Sequence, residues 1–166
     1  MRADKLYLVG FMAAGKSSVA RETARRLDWR VEDVDERIEA KEGLSVAQIF
    51  ALRGEAHFRS VERAVLLDLL VPRHLVVATG GGTFADPLNR AAMRNDGAVI
   101  WIDVPLAELV GRIPMDGSRP LASTRLQLEQ LYTQRRDAYA HAHVRLDGSR
   151  QSVGQLVDAL MAWMSP

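Results

Sequence analysis

The chain contains no cysteine, and that absence removes several kinds of chemistry. A disulfide framework, thiol catalysis and cysteine-ligated zinc are all excluded, and a chain without cysteine is consistent with the reducing cytoplasm. A strong excess of one charge is also absent, since 22 basic and 21 acidic side chains leave a formal charge of +1 at pH 7. The sequence therefore predicts no general attraction to nucleic acid or to an anionic membrane surface.

Long hydrophobic runs are absent as well. The apolar stretch from Leu6 to Ala14 ends near Lys16 without a small-residue cleavage site, which is typical of a buried strand and not of a signal peptide. No stretch approaches the roughly 20 apolar residues that a membrane-spanning helix needs. With 48% hydrophobic residues in a chain of 166, we predict a soluble cytoplasmic protein with one domain over residues 1–166. No exposed apolar stripe is evident, so we expect a monomer.

Short apolar runs alternate with helical patterns along the chain. Strands are predicted at Leu6–Val9, Trp29–Val34, Leu75–Ala78, Ala98–Ile102 and Val144–Leu146. Strands that are continuously apolar, with helices between them, are typical of a parallel sheet that is covered on both faces. The sequence therefore predicts an α/β fold, whose ligands lie beyond the carboxyl ends of the strands.

A glycine loop joins the first predicted strand to the first predicted helix. Residues 10–17 are GFMAAGKS, which satisfies the phosphate-loop pattern G-x-x-x-x-G-K-[ST] in the context that the pattern requires. Backbone N–H groups and the helix dipole favour phosphate there, Lys16 adds a cation, and Ser17 is a candidate Mg²⁺ ligand. Ala13 lies where many such loops carry glycine, and its Cβ restricts positive φ. We expect a slightly altered loop that still binds nucleotide.

Two acidic residues close the second predicted strand. Asp33 and Asp35 are two residues apart, so in an extended segment both carboxylates lie on one face. Asp33 is a candidate to hold a magnesium-bound water, and Asp35 is a candidate to orient a substrate hydroxyl or accept its proton. A solvated acidic turn explains the same residues, and the sequence leaves both interpretations open.

Further along the chain, several groups are suited to an anionic acceptor. Arg59 and Glu62 are three apart on a predicted helix, so the carboxylate can hold a guanidinium that grips a substrate carboxylate, although a surface ion pair is the alternative. The three glycines at 80–82 supply no packing, which indicates close approach of backbone to a ligand. Arg119 and Arg135 are candidates to stabilise a transferred phosphate and to bind an anionic acceptor. No metal site is expected at the two histidines at 141 and 143, since no third ligand is near.

Six motifs in order resemble the shikimate kinase family over nearly the whole chain. They are GFMAAGKSS at 10–18, DVD at 33–35, IFALRGEAHFRSVE at 49–62, TGGGT at 79–83, RPL at 119–121 and QRR at 134–136. The resemblance implies a three-layer P-loop kinase fold with a five-stranded parallel sheet, a substrate-binding helical segment at about 33–62 and a lid at about 113–125. It also implies transfer of the γ-phosphate of ATP to the 3-hydroxyl of shikimate, with Mg²⁺ as cofactor.

The same resemblance implies roles for individual residues. The implied catalytic residues are Lys16, Asp35 and Arg119. Implied contacts with ATP are Gly10, Ala13, Ala14, Gly15, Lys16, Ser17, Ser18, Arg112, Arg119 and Arg150. Implied contacts with shikimate are Asp35, Phe50, Phe58, Arg59, Gly80, Gly81, Gly82 and Arg135. Mg²⁺ would be held by Ser17 and, through water, by Asp33.

Two other functions stay open at this point. A different small-metabolite kinase of the same fold, such as a gluconate kinase, is one, because the Arg59 and Arg135 pair suits any carboxylated polyol. The other is a non-catalytic ligand sensor. The DVD, FRxxE and TGGG motifs favour shikimate, and the complete set of Lys16, Ser17 and the two aspartates argues against a sensor. The expected partners are ATP and shikimate, without nucleic acid or membrane.

Overall fold

The computed structural model describes residues 3–116, 118, 120, 121 and 123–165. Within them, five strands form one sheet: β1 (Lys5–Val9), β2 (Arg30–Asp33), β3 (Leu75–Ala78), β4 (Ala98–Asp103) and β5 (Val144–Asp147). The described helices are α1 (Lys16–Leu27), α2 (Val34–Glu42), α3 (Val46–Leu69), α4 (Pro87–Asp96), α5 (Leu106–Val110), α6 (Arg125–Tyr139) and α7 (Val153–Met164), with a 3₁₀ turn at Thr83–Ala85.

The sheet is parallel throughout, in the order β2-β3-β1-β4-β5. In the central strand, Leu6 is aligned with Val76 of β3 on one side and with Ala98 of β4 on the other. Every residue of β1, β3 and β4 is buried, so helices cover both faces of the centre of the sheet. The predicted α/β fold with a five-stranded parallel sheet is confirmed.

The helices begin where the sequence supplies caps. Ser45, Thr124 and Ser152 each form a capping box at the start of α3, α6 and α7. Among the described residues, no helix is long and apolar enough to cross a membrane.

Helix α3 is divided by one residue. Gly54 has φ 82° and ψ 168°, a conformation essentially limited to glycine, and the chain is helical on either side of it. The kink separates Phe50 in the first part from Phe58 and Arg59 in the second part. The candidate substrate residues of α3 therefore come from two helical segments that differ in direction.

Candidate active site

The candidate site lies at the carboxyl end of the sheet, where the sequence predicts ligands. β1 leads into the glycine loop, β2 ends at Asp33, and β3 leads into the three glycines. Thr79 joins two of these strand ends, because its backbone N–H and its hydroxyl both donate to the carbonyl of Leu8, at 3.2 and 3.0 Å. Residues that are far apart in the sequence are thereby brought to one edge of the sheet.

The glycine loop presents the start of α1 to this edge. Gly15 precedes the helix with φ 94° and supplies no side-chain cap, so backbone N–H groups of the first turn face the loop. Lys16 is buried, and its Nζ donates to the carbonyls of Gly10 and Phe11 at 2.9 and 2.8 Å. A Cβ at Gly10 would lie 2.6 Å from the carbonyl oxygen of Ile102, so only glycine fits against β4 there.

Ala13 adopts the conformation that its side chain disfavours. Its φ is +62°, in the left-handed region. A Cβ in that region costs roughly 1–2 kcal/mol. The Cβ therefore does not prevent the loop from using a positive φ at this position, and the loop carries backbone strain instead.

Ser17 and Asp33 form a pair of oxygen donors beside the loop. The Ser17 hydroxyl donates to Asp33 Oδ2 at 2.6 Å. Mg²⁺ is usually held by one or two carboxylates, substrate phosphates and waters, so a hydroxyl and one carboxylate fit this ion. Among the described residues there is no group of three or more His, Cys, Asp or Glu side chains that would hold a metal by themselves.

The expectation that Asp33 and Asp35 share one extended segment is wrong. β2 ends at Asp33, whose Oδ1 accepts from the N–H groups of Asp35 and Glu36 and so caps α2. A strand that ends in a capping aspartate changes directly into a helix, which turns Asp35 away from the β2 direction. Asp35 instead lies against the three glycines, since a Cβ at Gly80 would be 2.9 Å from Asp35 Oδ1.

Arg59 is fixed by a buried acid, as its spacing from Glu62 predicts. Arg59 Nη1 donates to Glu62 Oε1 at 2.9 Å, and Glu62 is 1% exposed. The other oxygen of Glu62 accepts from the hydroxyl of Thr83 at 2.8 Å. Thr83 closes the TGGGT motif, but the sequence assigned it no role. The pair is therefore partly buried and braced on two sides, unlike a surface ion pair.

The three glycines make room for charged side chains of this chain. A Cβ at Gly81 would lie 2.8 Å from Arg135 Nη1, and one at Gly82 would lie 2.7 Å from both terminal nitrogens of Arg59. The sequence predicts close approach of a ligand to this backbone, and that remains a prediction; the groups of this chain that approach it include Arg59 and Arg135.

Arg135 is a buried cation. Burial lowers the pKa of its guanidinium, and the nearby Arg59 lowers it further, while Glu62 opposes this shift at longer range. In the part of the chain that the structure describes, no ion pair is formed by Arg135. Its Nη1 lies against Gly81, where a Cβ would be 2.8 Å from that nitrogen and 3.8 Å from the hydroxyl of Tyr139. An anionic ligand would find positive charge here that the protein has not neutralised.

All the residues predicted to contact shikimate line one cavity. Asp35, Phe50, Phe58, Arg59, the glycines at 80–82 and Arg135 line it together. The rings of Phe50 and Phe58 pack with centroids 4.8 Å apart and form its apolar side. Val46, which the sequence did not single out, and Glu62 complete the lining together with three residues of the predicted lid segment: Ser118, Pro120 and Leu121.

Two further residues implied to contact ATP, Arg112 and Arg150, lie at another place along the carboxyl end of the sheet. Arg112 and Arg150 are both near Glu108: Arg112 Nη2 is 3.8 Å from Glu108 Oε2, and the backbone N–H of Arg150 donates to the same oxygen at 3.1 Å. The structure therefore brings these two arginines together although 38 positions separate them in the chain. Arg119 lies outside the described residues.

The comparisons with known proteins agree on one family. A family model described as shikimate kinase matches residues 12–165. A shikimate kinase of Persephonella marina is 38% identical over 157 residues, covering 94% of this chain and 96% of that protein. The solved structure of shikimate kinase from Acinetobacter baumannii in complex with shikimate has a TM-score of 0.92 at 32% identity, covering 97% of this chain and 92% of that one.

A gluconokinase from Sinorhizobium meliloti is also similar, with a TM-score of 0.62 at 18% identity over 95% of this chain and 89% of its own. At that identity the likeness concerns the fold alone.

Proposed function

This chain belongs to the shikimate kinase family, and from that premise we propose that it transfers the γ-phosphate of ATP to the 3-hydroxyl of shikimate. The products are ADP and shikimate 3-phosphate, on the route to chorismate and the aromatic amino acids. The observation that carries the proposal is that two arginines, an aspartate and an apolar side line one cavity near the glycine loop.

Arg59 and Arg135 hold the carboxylate of shikimate. Their guanidinium groups converge on Gly82, where a Cβ would be 2.7 Å from Arg59 and 3.0 Å from Arg135. Two planar guanidinium groups can each offer paired donors to one carboxylate. Glu62 fixes Arg59 before the substrate arrives, so little side-chain freedom is lost on binding. Phe50 and Phe58 pack against the apolar face of the ring.

The glycines at 80–82 bind the ring substituents through their backbone and leave space for the arginines beside them. Asp35 lies against Gly80 and orients the 3-hydroxyl, whose proton it accepts as the phosphate is transferred. Transfer of a phosphoryl group has a loose transition state, so alignment and charge neutralisation supply most of the catalysis. Asp35 is therefore a positioned acceptor of a proton, and a strongly raised basicity is not required.

Lys16 neutralises charge on the transferred phosphate by exchanging its contacts with the loop carbonyls for phosphate oxygens. Mg²⁺, held by Ser17 and through water by Asp33, supplies further positive charge at the phosphates when it is bound. Arg119 adds a third cation from the lid. The other proposed phosphate contacts come from Gly10, Ala13, Ala14, Gly15 and Ser18.

Arg112 and Arg150 bind the adenosine end of ATP, beside Glu108. The lid at about residues 113–125 closes over the two substrates and excludes water, which would otherwise accept the phosphate. Ser118, Pro120 and Leu121 already line the shikimate cavity, and this supports a lid in that place. The protein works as a cytoplasmic monomer in one domain, on small molecules and without nucleic acid or membrane.

The decisive experiment measures ADP release from Mg-ATP with shikimate, with gluconate and with neither. We expect release that depends on shikimate alone. As a matched acceptor, the methyl ester of shikimate keeps the ring and hydroxyls but lacks the charge, so it should be used with a much higher KM. Release with gluconate, or ATP binding without any acceptor-dependent release, would contradict the proposed function.

A further inference from the structure

We propose that Arg136 is a positioning residue for the acceptor site: its ion pair with Asp103 fixes α6 on the sheet and so directs the neighbouring Arg135 into the shikimate cavity. The inference rests on the proposed function, in which Arg135 holds the carboxylate of shikimate. The sequence assigned Arg136 no role, although it is the last residue of the QRR motif.

Helix α6 has few apolar contacts that could fix its position. All 15 of its residues are among those that the structure describes, and of them only Leu128, Arg135 and Tyr139 are buried. A helix on a protein surface usually packs an apolar stripe of about three residues per two turns against the core. With two buried apolar side chains over its whole length, the rotation of α6 about its axis depends on specific polar contacts.

Arg136 supplies such a contact. Its Nη1 and Nη2 donate to the two carboxylate oxygens of Asp103, at 2.6 and 3.2 Å. Asp103 is the last residue of β4 and is 5% exposed, so the acceptor belongs to a buried strand. A guanidinium that is bound through two nitrogens to one carboxylate is fixed in direction as well as in distance.

Two aromatic side chains contact the same guanidinium. Its central carbon lies 4.9 Å from the ring centroid of Trp101 and 5.4 Å from that of Tyr132. The Tyr132 hydroxyl accepts from Arg136 Nη1 at 2.9 Å and donates to the carbonyl of Val104 at 3.1 Å. These contacts join α6 to two successive residues at the carboxyl end of the fourth strand.

The direction of Arg136 determines that of Arg135. Adjacent residues of an α-helix project about 100° apart, so a helix that is fixed at one of them is also fixed at the other. With Arg136 directed to the end of β4, Arg135 meets the three glycines, where a Cβ at Gly81 would be 2.8 Å from its Nη1. A rotation of α6 would move this guanidinium away from the glycines or into them.

Asp103 has a second partner, which provides a matched control. Arg145 of β5 donates to the same carboxylate through Nε at 2.8 Å, and its guanidinium lies 5.4 Å from the ring centroid of Trp101. Arg145 is not among the described residues that line the shikimate cavity. Loss of either arginine removes one guanidinium from Asp103 and from Trp101, but only loss of Arg136 releases α6.

The test compares Arg136→Met with Arg145→Met. Methionine keeps an unbranched apolar chain without the charge. Circular dichroism and thermal unfolding verify that both variants fold, and steady-state kinetics give KM for shikimate and for ATP. We expect Arg136→Met to raise KM for shikimate about tenfold and KM for ATP less than about twofold, because charged hydrogen bonds to the acceptor are misdirected. Arg145→Met should leave both KM values within about twofold of wild type, since its side chain is 62% exposed.

Two further measurements separate positioning from a general loss of structure. Arg136→Lys keeps the charge but not the paired donors, so it should raise KM for shikimate less than Arg136→Met does. The methyl ester of shikimate lacks the charge that Arg135 binds. Its KM should therefore change by less than about threefold between wild type and Arg136→Met. An equal rise in KM for the acid and the ester would contradict positioning through Arg135.

A double-mutant cycle with Asp103→Ala asks whether Arg136 acts through Asp103. In the Asp103→Ala background, Arg136→Met should change KM for shikimate by less than about threefold. Full additivity of the two substitutions would overturn the inference. So would an unchanged KM for shikimate in Arg136→Met, or an equal rise in Arg145→Met. Failure of the proposed function is distinguished from these outcomes, because the wild-type protein itself would then show no turnover with shikimate.

Discussion

The two ends of the parallel sheet both contain buried charge, but the charges are balanced differently. At the amino end, Lys5 is fully buried and its Nζ is 2.7 Å from Asp96 Oδ2. The same carboxylate accepts from Tyr7 at 2.6 Å and from Arg73 at 2.6 Å. At the carboxyl end, Arg135 is almost as buried, yet it forms no ion pair among the described residues.

The difference shows what each cluster is for. Lys5 also donates to the carbonyls of Leu69 and Leu70, so Lys5 and Asp96 have their partners within the protein. Such a cluster stabilises the fold and has nothing to offer a ligand. A buried cation without its counter-ion costs free energy instead, and an anionic ligand recovers that cost. We therefore expect damage at the amino end to change stability, and damage at the carboxyl end to change catalysis and binding.

The largest effect is expected from Asp35→Asn at the carboxyl end. The amide keeps the size of the side chain but cannot accept the hydroxyl proton, so kcat should fall by about 10²–10⁴ while ATP still binds. Steady-state kinetics and nucleotide titration measure the two quantities. Glu36→Gln, on the next residue of the same helix, is the matched control and should retain turnover. Near wild-type kcat in Asp35→Asn would remove Asp35 from the chemistry.

Asp96→Ala tests the amino end. It leaves Lys5 buried without its carboxylate, so the free energy of unfolding should fall by about 3 kcal/mol or more. Denaturant unfolding measures this loss. The kcat of the folded fraction should not change, because the cluster is at the amino end of the sheet and the cavity is at its carboxyl end. Asp4→Ala is the control, because Asp4 is exposed and its carboxylate comes no closer than 3.7 Å to Arg73. This substitution should lower the free energy of unfolding by less than about 1 kcal/mol. A fall in kcat with unchanged stability in Asp96→Ala would contradict the view that this cluster serves the fold and not catalysis.

Acid below about pH 4 should also weaken the amino end. Burial opposes ionisation of Asp96, but hydrogen bonds from Lys5, Tyr7 and Arg73 outweigh it and lower the pKa of this carboxyl below its usual 3.8. A lowered pKa in the folded protein contributes stability above the unfolded value, and that stability is lost as pH falls through the folded value. Unfolding free energy should therefore drop below about pH 4, and this drop should be smaller in Asp96→Asn. An identical acid profile in the variant would contradict the assignment.

The smallest effect is expected from Ala13→Gly, in the strained loop at the carboxyl end. Glycine accepts the φ of +62° without penalty, so the variant should be more stable by about 1 kcal/mol. Ala14→Gly is the control, because the neighbouring residue has no positive φ and should lose stability through added freedom of the unfolded chain. Thermal unfolding distinguishes the two. Equal losses in both variants would show that Ala13 carries no strain.

Several elements could be predicted because their signals are local. The strand Leu75–Ala78 is a continuous apolar run that the structure reproduces, and the glycine loop is a contiguous pattern with a known context. The spacing of Arg59 and Glu62 likewise predicted their contact. The path of Asp35 could not be predicted in the same way, because an aspartate at a strand end is equally suited to continue the strand or to cap a helix.

The succession of strands and helices along the chain, the phosphate loop and the types of charged group near the site could be inferred from residues that are neighbours in the chain. Which of the charges are neutralised depends on contacts between distant parts of the chain. Asp96 reaches Lys5 and Tyr139 reaches Gly81 across long stretches of chain, at contacts that the pairing of strands and the packing of α6 create. Burial makes these contacts important for stability and binding, because a charge or hydroxyl that is removed from water can be stabilised only by the few groups that remain beside it.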